Sequence, residues 1–295
     1  MNKQGKRKFD ELSTRFKVHG GIEWTKTVES DGNERQGYTL NPIKGCFHGC
    51  QWYIDGRRAE CYAKTVAERL AQKAYPNGFE HIYLRPDELT KPATVRIPSK
   101  FFIDSMSDLF GHWLPDEAVL AVIKMAQDNP RHTFQSLTKN PKRILQFKQY
   151  LPPNLHVGVS SAPDVMWGNQ LSCLSQISYT RAALKVLGQI PNRVTWFSFE
   201  PLSWDMADII KQYPTALNWA VIGAASEGSR YFQPNRTHVE KLLDVLDAQD
   251  VKVFFKGNLT WSPWREDFPE SPDVSMYPEF EPVPDSVVMP EQVAV

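Results

Sequence analysis

Seven short runs of apolar, β-branched or aromatic residues punctuate the chain: Gly37–Asn41, Lys100–Ser105, His132–Leu137, Leu155–Ser160, Arg193–Phe199, Trp219–Gly223 and Val251–Lys256. Most lack polar alternation, as expected of strands buried on both faces. Stretches of helical spacing lie between them. Cys61–Lys73 carries Val66, Ala67, Leu70 and Ala71 on one stripe. Pro115–Gln127 opens with Pro-Asp-Glu and repeats Val119, Val122, Ile123 and Ala126. Pro141–Tyr150, Tyr179–Leu187, residues 205–213 and Thr237–Ala248 follow the same logic. Residues 74–98 match neither period and read as a wrap-around connection.

Strand–helix alternation repeated in this way predicts an α/β fold with a parallel sheet. The number of units suits a partial or near-complete TIM-type (β/α) barrel better than an open sheet. The two ends differ from this middle. Residues 1–20 form a basic, flexible N-terminus, 21–262 a single (β/α) barrel domain, and 263–295 an acidic, Pro-rich tail. The 34 Lys and Arg balance the 34 Asp and Glu, so the net charge of zero hides opposite charge at the two termini. A chain without a basic excess is a poor general polyanion binder. Neither a secretory leader nor a membrane-length apolar run is visible, which predicts a cytoplasmic protein. In a reducing compartment, four cysteines read as metal ligands or chemistry rather than as a disulfide framework.

Chemistry in parallel barrels gathers where strands hand over to loops. The first strand is followed by Asn41-Pro42-Ile43-Lys44-Gly45-Cys46, and the second by Met106, Ser107 and Asp108. Thr138 and Lys139 follow the third, Ser160 closes the fourth, Glu200 follows the fifth, Gly223 the sixth, and Lys256 ends the seventh. Strand ends meet water, so each position alone reads most simply as a cap or a solvated group. As a set they point to one shared site, with Glu200, Lys256 and Asp108 the catalytic candidates. Lys256 also suits a Schiff base in a desolvated pocket.

Cys46, Cys50 and Cys61 fall within one strand-to-helix connection, whereas Cys173 stands apart. Three thiolates suit an iron–sulfur cluster with one open iron, or zinc with a fourth ligand. His48 lies one residue from each of its cysteine neighbours in Cys46-Phe47-His48-Gly49-Cys50, an awkward spacing for ligands of one ion. The stretch Gln51–Glu60 separates the second and third cysteines and carries Trp52, Tyr53, Arg57 and Arg58.

Cys46-x3-Cys50 and a third cysteine after the first strand of a repeated β/α chain resemble the radical SAM superfamily, whose usual motif is C-x3-C-x2-C. Here Gln51–Glu60 stands as an insertion before Cys61. The chain is also similar to a family of phage- and mobile-element-associated proteins with radical-SAM-like features. Matching segments include Ile22-Glu23-Trp24-Thr25, Cys61-Tyr62-Ala63, Ser105-Met106-Ser107-Asp108-Leu109-Phe110, Leu137-Thr138-Lys139, Glu200-Pro201-Leu202 and Phe254-Phe255-Lys256, over roughly residues 22–258. Members of that family carry Gly-Gly-Glu-Ser where this chain has Ala224-Ala225-Ser226-Glu227.

The resemblance implies a [4Fe-4S] cluster on Cys46, Cys50 and Cys61, with S-adenosylmethionine chelating the fourth iron. An external electron donor would reduce the cluster, and cleavage of the sulfonium would yield a 5′-deoxyadenosyl radical. Ser105, Ser107, Asp108, Thr138, Lys139, Ser160, Glu200 and Gly223 are the candidates for contacting the cofactor. The substrate is unnamed by any residue; the phage-type setting suggests a nucleic acid or nucleotide. Two other readings stay open: a zinc-stabilised protein that binds nucleic acid or a partner, and a metal-free lyase using Lys256 and Glu200.

Overall fold

The computed structural model describes residues 1–3, 7–10, 15–18, 22–54, 56–190, 193–227, 230–270 and 280–292. One eight-stranded sheet organises them: β1 (Asn2–Lys3), β2 (Tyr38–Leu40), β3 (Lys100–Ile103), β4 (Thr133–Thr138), β5 (Leu155–Ser160), β6 (Thr195–Phe199), β7 (Trp219–Ile222) and β8 (Lys252–Phe255). Each neighbours the next in chain order, β1 antiparallel to β2 and the rest parallel. The helices that follow the strands are α1 (Tyr62–Thr65), α2 (Asp116–Asp128), α3 (Pro141–Ile144), α4 (Cys173–Leu187), α5 (Ala207–Lys211) and α6 (Arg236–Ala248). A further short helix, Pro86–Leu89, lies within the 74–98 connection, which the sequence pattern left without one. This is the partial (β/α) barrel that the alternation predicts. Much of the 1–20 segment lies outside the described residues, but Asn2 and Lys3 extend the sheet through Thr39 and Tyr38.

Local chemistry sets the helix ends. Asp116 and Glu117 occupy the first turn of α2, where carboxylates complement the helix dipole. Ser172 caps α4 by accepting from the Ser175 amide at 3.1 Å, so that helix starts well before the expected Tyr179. Asn235 caps α6 through the Thr237 amide at 2.9 Å. The expected helix over Cys61–Lys73 is broken. α1 gives way to a π-turn over Val66–Leu70 and a 3-10 turn over Gln72–Ala74. Pro141–Tyr150 likewise splits into α3 and a 3-10 segment, Leu145–Tyr150.

Alternate residues of each strand face opposite sides. Phe101, Ile103, Phe134, Val157, Val159, Phe197, Phe199, Ile222 and Phe255 join helix residues such as Val119, Val122 and Ile123 in the main core. Phe102, Trp196, Trp219, Val221 and Phe254 form a second core with Trp24. Trp24, on the 3-10 turn Glu23–Thr25, meets Phe102 edge-on at 5.6 Å and Trp196 at 6.2 Å. A Cβ at Gly158 would come within 2.5 Å of the Trp196 indole, so the absent side chain is what admits the ring.

The tail closes the N-terminal end of the sheet. Phe268 packs at a tilt against Trp219 and Phe254, and the Lys100 ammonium sits 3.5 Å above its ring. Lys26 is 1% exposed and ion-paired with Glu34 and Glu266. Farther on, Glu281 and Val283 bond Gln149 and Gln127, and Val283 and Met289 are buried. No helix among the described residues is long and apolar enough to cross a membrane.

Candidate functional site

The cysteine connection leaves β2 at its C-terminal end. Ile43–Lys44 pairs antiparallel with Tyr83–Leu84, and the chain then turns sharply at Gly45, φ +91°. A Cβ there would lie 2.1 Å from the His81 carbonyl oxygen, so only glycine is accommodated. The Cys46 amide donates to Phe79 O at 3.1 Å. Gln51–Glu60 is not a loose loop. Gln51–Ile54 and Arg57–Glu60 form a hairpin, and its closing end brings the Cys61 amide onto Cys50 O at 3.1 Å. The intervening residues are thereby extruded, and the second and third cysteines become neighbours. The Arg57 side chain lies outside the described residues.

All three thiols are free, Cys50 buried and the other two half-buried. Burial pushes the Cys46 thiol well up, with the charges of Asp108 and Cys50 adding to it. Burial also pushes Cys50 up to about 12, opposed by the cationic Lys139. Burial would lower the Lys139 ammonium, yet the charges of Cys50, Cys61, Asp108 and Cys46 together hold it above its ordinary value. Lys139 is therefore the cation that all three cysteines share. No group of three His, Cys, Asp or Glu side chains among the described residues is drawn tightly enough to enclose an ion. In chemistry the donor set fits a soft, thiolate-bound cluster: three cysteines on one connection, a lysine that feels the charge of all three, and an apolar wall of Ala63, Ala67, Tyr75 and Phe79.

Asp108 ties this connection to the sheet. Its Oδ2 meets His48 Nε2 at 2.6 Å and accepts from the Lys139 amide at 2.7 Å, while Oδ1 accepts from the Phe110 amide at 3.0 Å. Burial alone would raise its carboxyl, but the His48 bond, the His48 charge and the Lys139 amide hold it below the usual range. His48 is thus engaged by Asp108, packed edge-on to Trp113 at 4.9 Å, and its carbonyl accepts from the Trp167 amide at 2.7 Å.

The other strand-end residues divide into two groups. Ser105 donates to Asn41 Oδ1 at 3.0 Å, Ser107 to Gly45 O at 2.7 Å, and Thr138 accepts from the Asn140 amide at 2.8 Å. These bonds brace the loops beside the cysteines. The Ser160 carbonyl accepts from Tyr179 Oη at 3.1 Å. The Tyr179 phenol is pushed well up by burial and then by the charges of Asp108 and Cys50. Across the mouth, Glu200 and Lys256 form an ion pair with each other. A Cβ at Gly223 would crowd both, 3.1 Å from Lys256 Cδ and 3.3 Å from Glu200 Cγ.

Tyr62 links the two groups. Its ring is 57% exposed while its hydroxyl is tucked onto Ser105 O at 2.6 Å. Loss of water around that hydroxyl, then the charges of Cys61 and Glu200, push the phenol up. Sequence reasoning missed Tyr62, Tyr179 and Asp104. Asp104 is buried at a φ of +54°; its Oδ1 accepts from the Ile43 amide at 3.0 Å and its Oδ2 has no partner. An aspartate in a left-handed turn at a strand end carries no periodic signal.

No curated protein matches the chain. Among solved structures, a spore photoproduct lyase complexed with dinucleoside spore photoproduct aligns at 10% identity and a TM-score of 0.48, covering 79% of this chain and 80% of that one. A radical SAM methyltransferase from Sphaerobacter thermophilus aligns at 11% identity and a TM-score of 0.40, covering 82% and 72%. The model of the family described as protein of unknown function (DUF5131) matches residues 20–275, and the chain belongs to that family.

Proposed function

We propose that the protein is a radical SAM-type enzyme that begins radical chemistry on a nucleic-acid-related substrate, with reducing power from an external electron donor. One observation carries the reading: the hairpin Gln51–Glu60 makes Cys61 a neighbour of Cys50, so the long spacing acts as a short one. Cys46, Cys50 and Cys61 would hold a [4Fe-4S] cluster, which when bound supplies the electron that cleaves S-adenosylmethionine. The similarity to phage- and mobile-element-associated proteins belongs to the same proposal.

The chain's own groups have separable tasks. Lys139 offsets the charge of the thiolates. Asp108 is buried with both oxygens engaged, so it positions His48 and the Lys139 backbone rather than reacting. Lys256 commits its ammonium to Glu200, which disfavours the Schiff-base lyase and leaves a paired charge at the mouth beside Gly223. Ser105, Ser107, Thr138 and Ser160 present hydroxyl or carbonyl oxygens near the methionyl end of the cofactor in this scheme. Tyr62 and Tyr179 narrow the opening and exclude water.

The test is anaerobic reconstitution with iron and sulfide, followed by reduction with S-adenosylmethionine present. Wild type and Cys173→Ser should bind iron and form methionine. Serine at Cys46, Cys50 or Cys61 should lower both by at least about a hundredfold, the scale of losing an essential group. Cofactor cleavage retained in Cys50→Ser would refute the assignment. Colourless protein with one zinc would move it to the zinc-stabilised reading.

A further inference from the structure

Among the described residues, five aromatic and five aliphatic large side chains are exposed. The aliphatic ones are Val28, Leu70, Ile97, Leu174 and Val288, with Leu70 and Ile97 on the connection between β2 and β3 and Leu174 at the start of α4. Every aromatic one, Phe47, Tyr53, Tyr62, Trp167 and Tyr231, lies on a segment that leaves the C-terminal end of a parallel strand.

Trp167 is the most telling of these. It forms, with Gly168, the two-residue turn between Val165–Met166 and Asn169–Gln170. Both turn residues have positive φ, +52° and +73°. Such turns favour Asn or Gly, and a bulky side chain there is strained. The tryptophan nonetheless stands 47% exposed, with its amide fixed on His48 O inside the cysteine connection. The ring packs 5.6 Å from the His48 ring and 6.1 Å from the His112 ring, and strain retained beside a candidate site on a ring that stays half exposed points to a ligand for its open part.

Cations accompany the rings. Arg58 stands opposite Tyr53 in the hairpin and is exposed. Lys142, also exposed, opens α3 just beyond Lys139. Lys139 itself is committed to the charges of the cysteines and Asp108, which leaves Lys142 as the outward cation of this loop. Planar faces beside exposed cations suit unstacked bases on a phosphate backbone.

We infer that the mouth of the barrel is a stacking platform for single-stranded nucleic acid. Tyr53, Tyr62 and Trp167 receive bases, and Arg58 and Lys142 receive phosphates. The inference rests on the proposed enzyme for what happens to the strand, but its binding step is independent of the cluster.

The test is fluorescence anisotropy of labelled twelve-nucleotide oligothymidylate and oligouridylate, and of a duplex of equal length, with the full chain before and after cluster reconstitution. Single strands should bind, more tightly than the duplex, with affinity falling as salt rises. Trp167→Ala and Tyr53→Ala should each weaken binding about fivefold or more, and Trp167→Phe should restore most of it. Leu174→Ala should bind as wild type, and circular dichroism should show every variant folded. The oligothymidylate and oligouridylate arms decide DNA against RNA. Folded wild type that binds neither strand, or aromatic variants that bind unchanged, overturns the platform, and a protein partner then becomes the better reading of this face. Strand binding without cofactor cleavage would refute the proposed enzyme alone; cleavage without strand binding would refute the platform alone.

Discussion

Asp104 and Asp108 are four residues apart, both are buried, and their carboxyl groups are driven in opposite directions. Burial raises Asp104 well above the ordinary carboxylate value, and its one accepted amide bond only partly offsets that. Folded Asp104 therefore keeps its proton after the unfolded chain has lost it, so its contribution to stability declines as pH rises above about 4. Asp108 is held low by His48, so its contribution is present above about pH 4 and is lost as pH falls through the folded value. Asp104→Asn keeps the acceptor for the Ile43 amide and removes the ionising group. Urea melts should show the variant more stable than wild type at pH 7.5 and similar to it at pH 4. A variant less stable at both values would contradict the raised carboxyl. None of this is legible in the sequence. The His48–Asp108 contact joins residues sixty apart, and Asp108 alone reads as a turn cap.

At the scale of elements, seven apolar runs mark seven parallel strands because burial on both faces removes the need for polar alternation. Helix starts were equally readable where Pro or a carboxylate marks the first turn, as at Asp116. The hairpin Gln51–Glu60 was not readable. Only one of its strands, Gln-Trp-Tyr-Ile, is apolar, the other is Arg-Arg-Ala-Glu, and its place is fixed by the pairing of Gln51 with Val165, far along the chain. The tryptophans were opaque for a similar reason: Trp24, Trp196 and Trp219 come together only when three separate elements meet. Gly158→Ala tests that packing directly. Its Cβ would collide with the Trp196 ring, and overpacking of this kind costs about 1–3 kcal/mol. Thermal melts should show the loss; an unchanged midpoint would mean the ring is not held where the structure has it.

At the scale of the whole molecule, the chain folds its two ends toward the same sheet. Asn2–Lys3 adds a strand at one edge, while Phe268 and Glu266 seal the N-terminal end against Trp219, Phe254 and Lys26. The acidic segment thus includes a packed plug, which its composition conceals. Phe268 is partly buried, so Phe268→Ala should destabilise the protein by about 1–2 kcal/mol, below the range for a fully buried aromatic ring, with urea denaturation as the measure. Stability equal to wild type would place Phe268 outside the fold. The opposite end of the sheet carries the central claim, that three cysteines made neighbours by a hairpin hold a cluster. Its most direct measurement is the electron paramagnetic resonance spectrum of the anaerobically reconstituted, dithionite-reduced chain, recorded with and without S-adenosylmethionine. The account expects a [4Fe-4S] signal that changes shape when the cofactor is added and is absent in Cys61→Ser; a silent wild-type protein that has taken up no iron would contradict it.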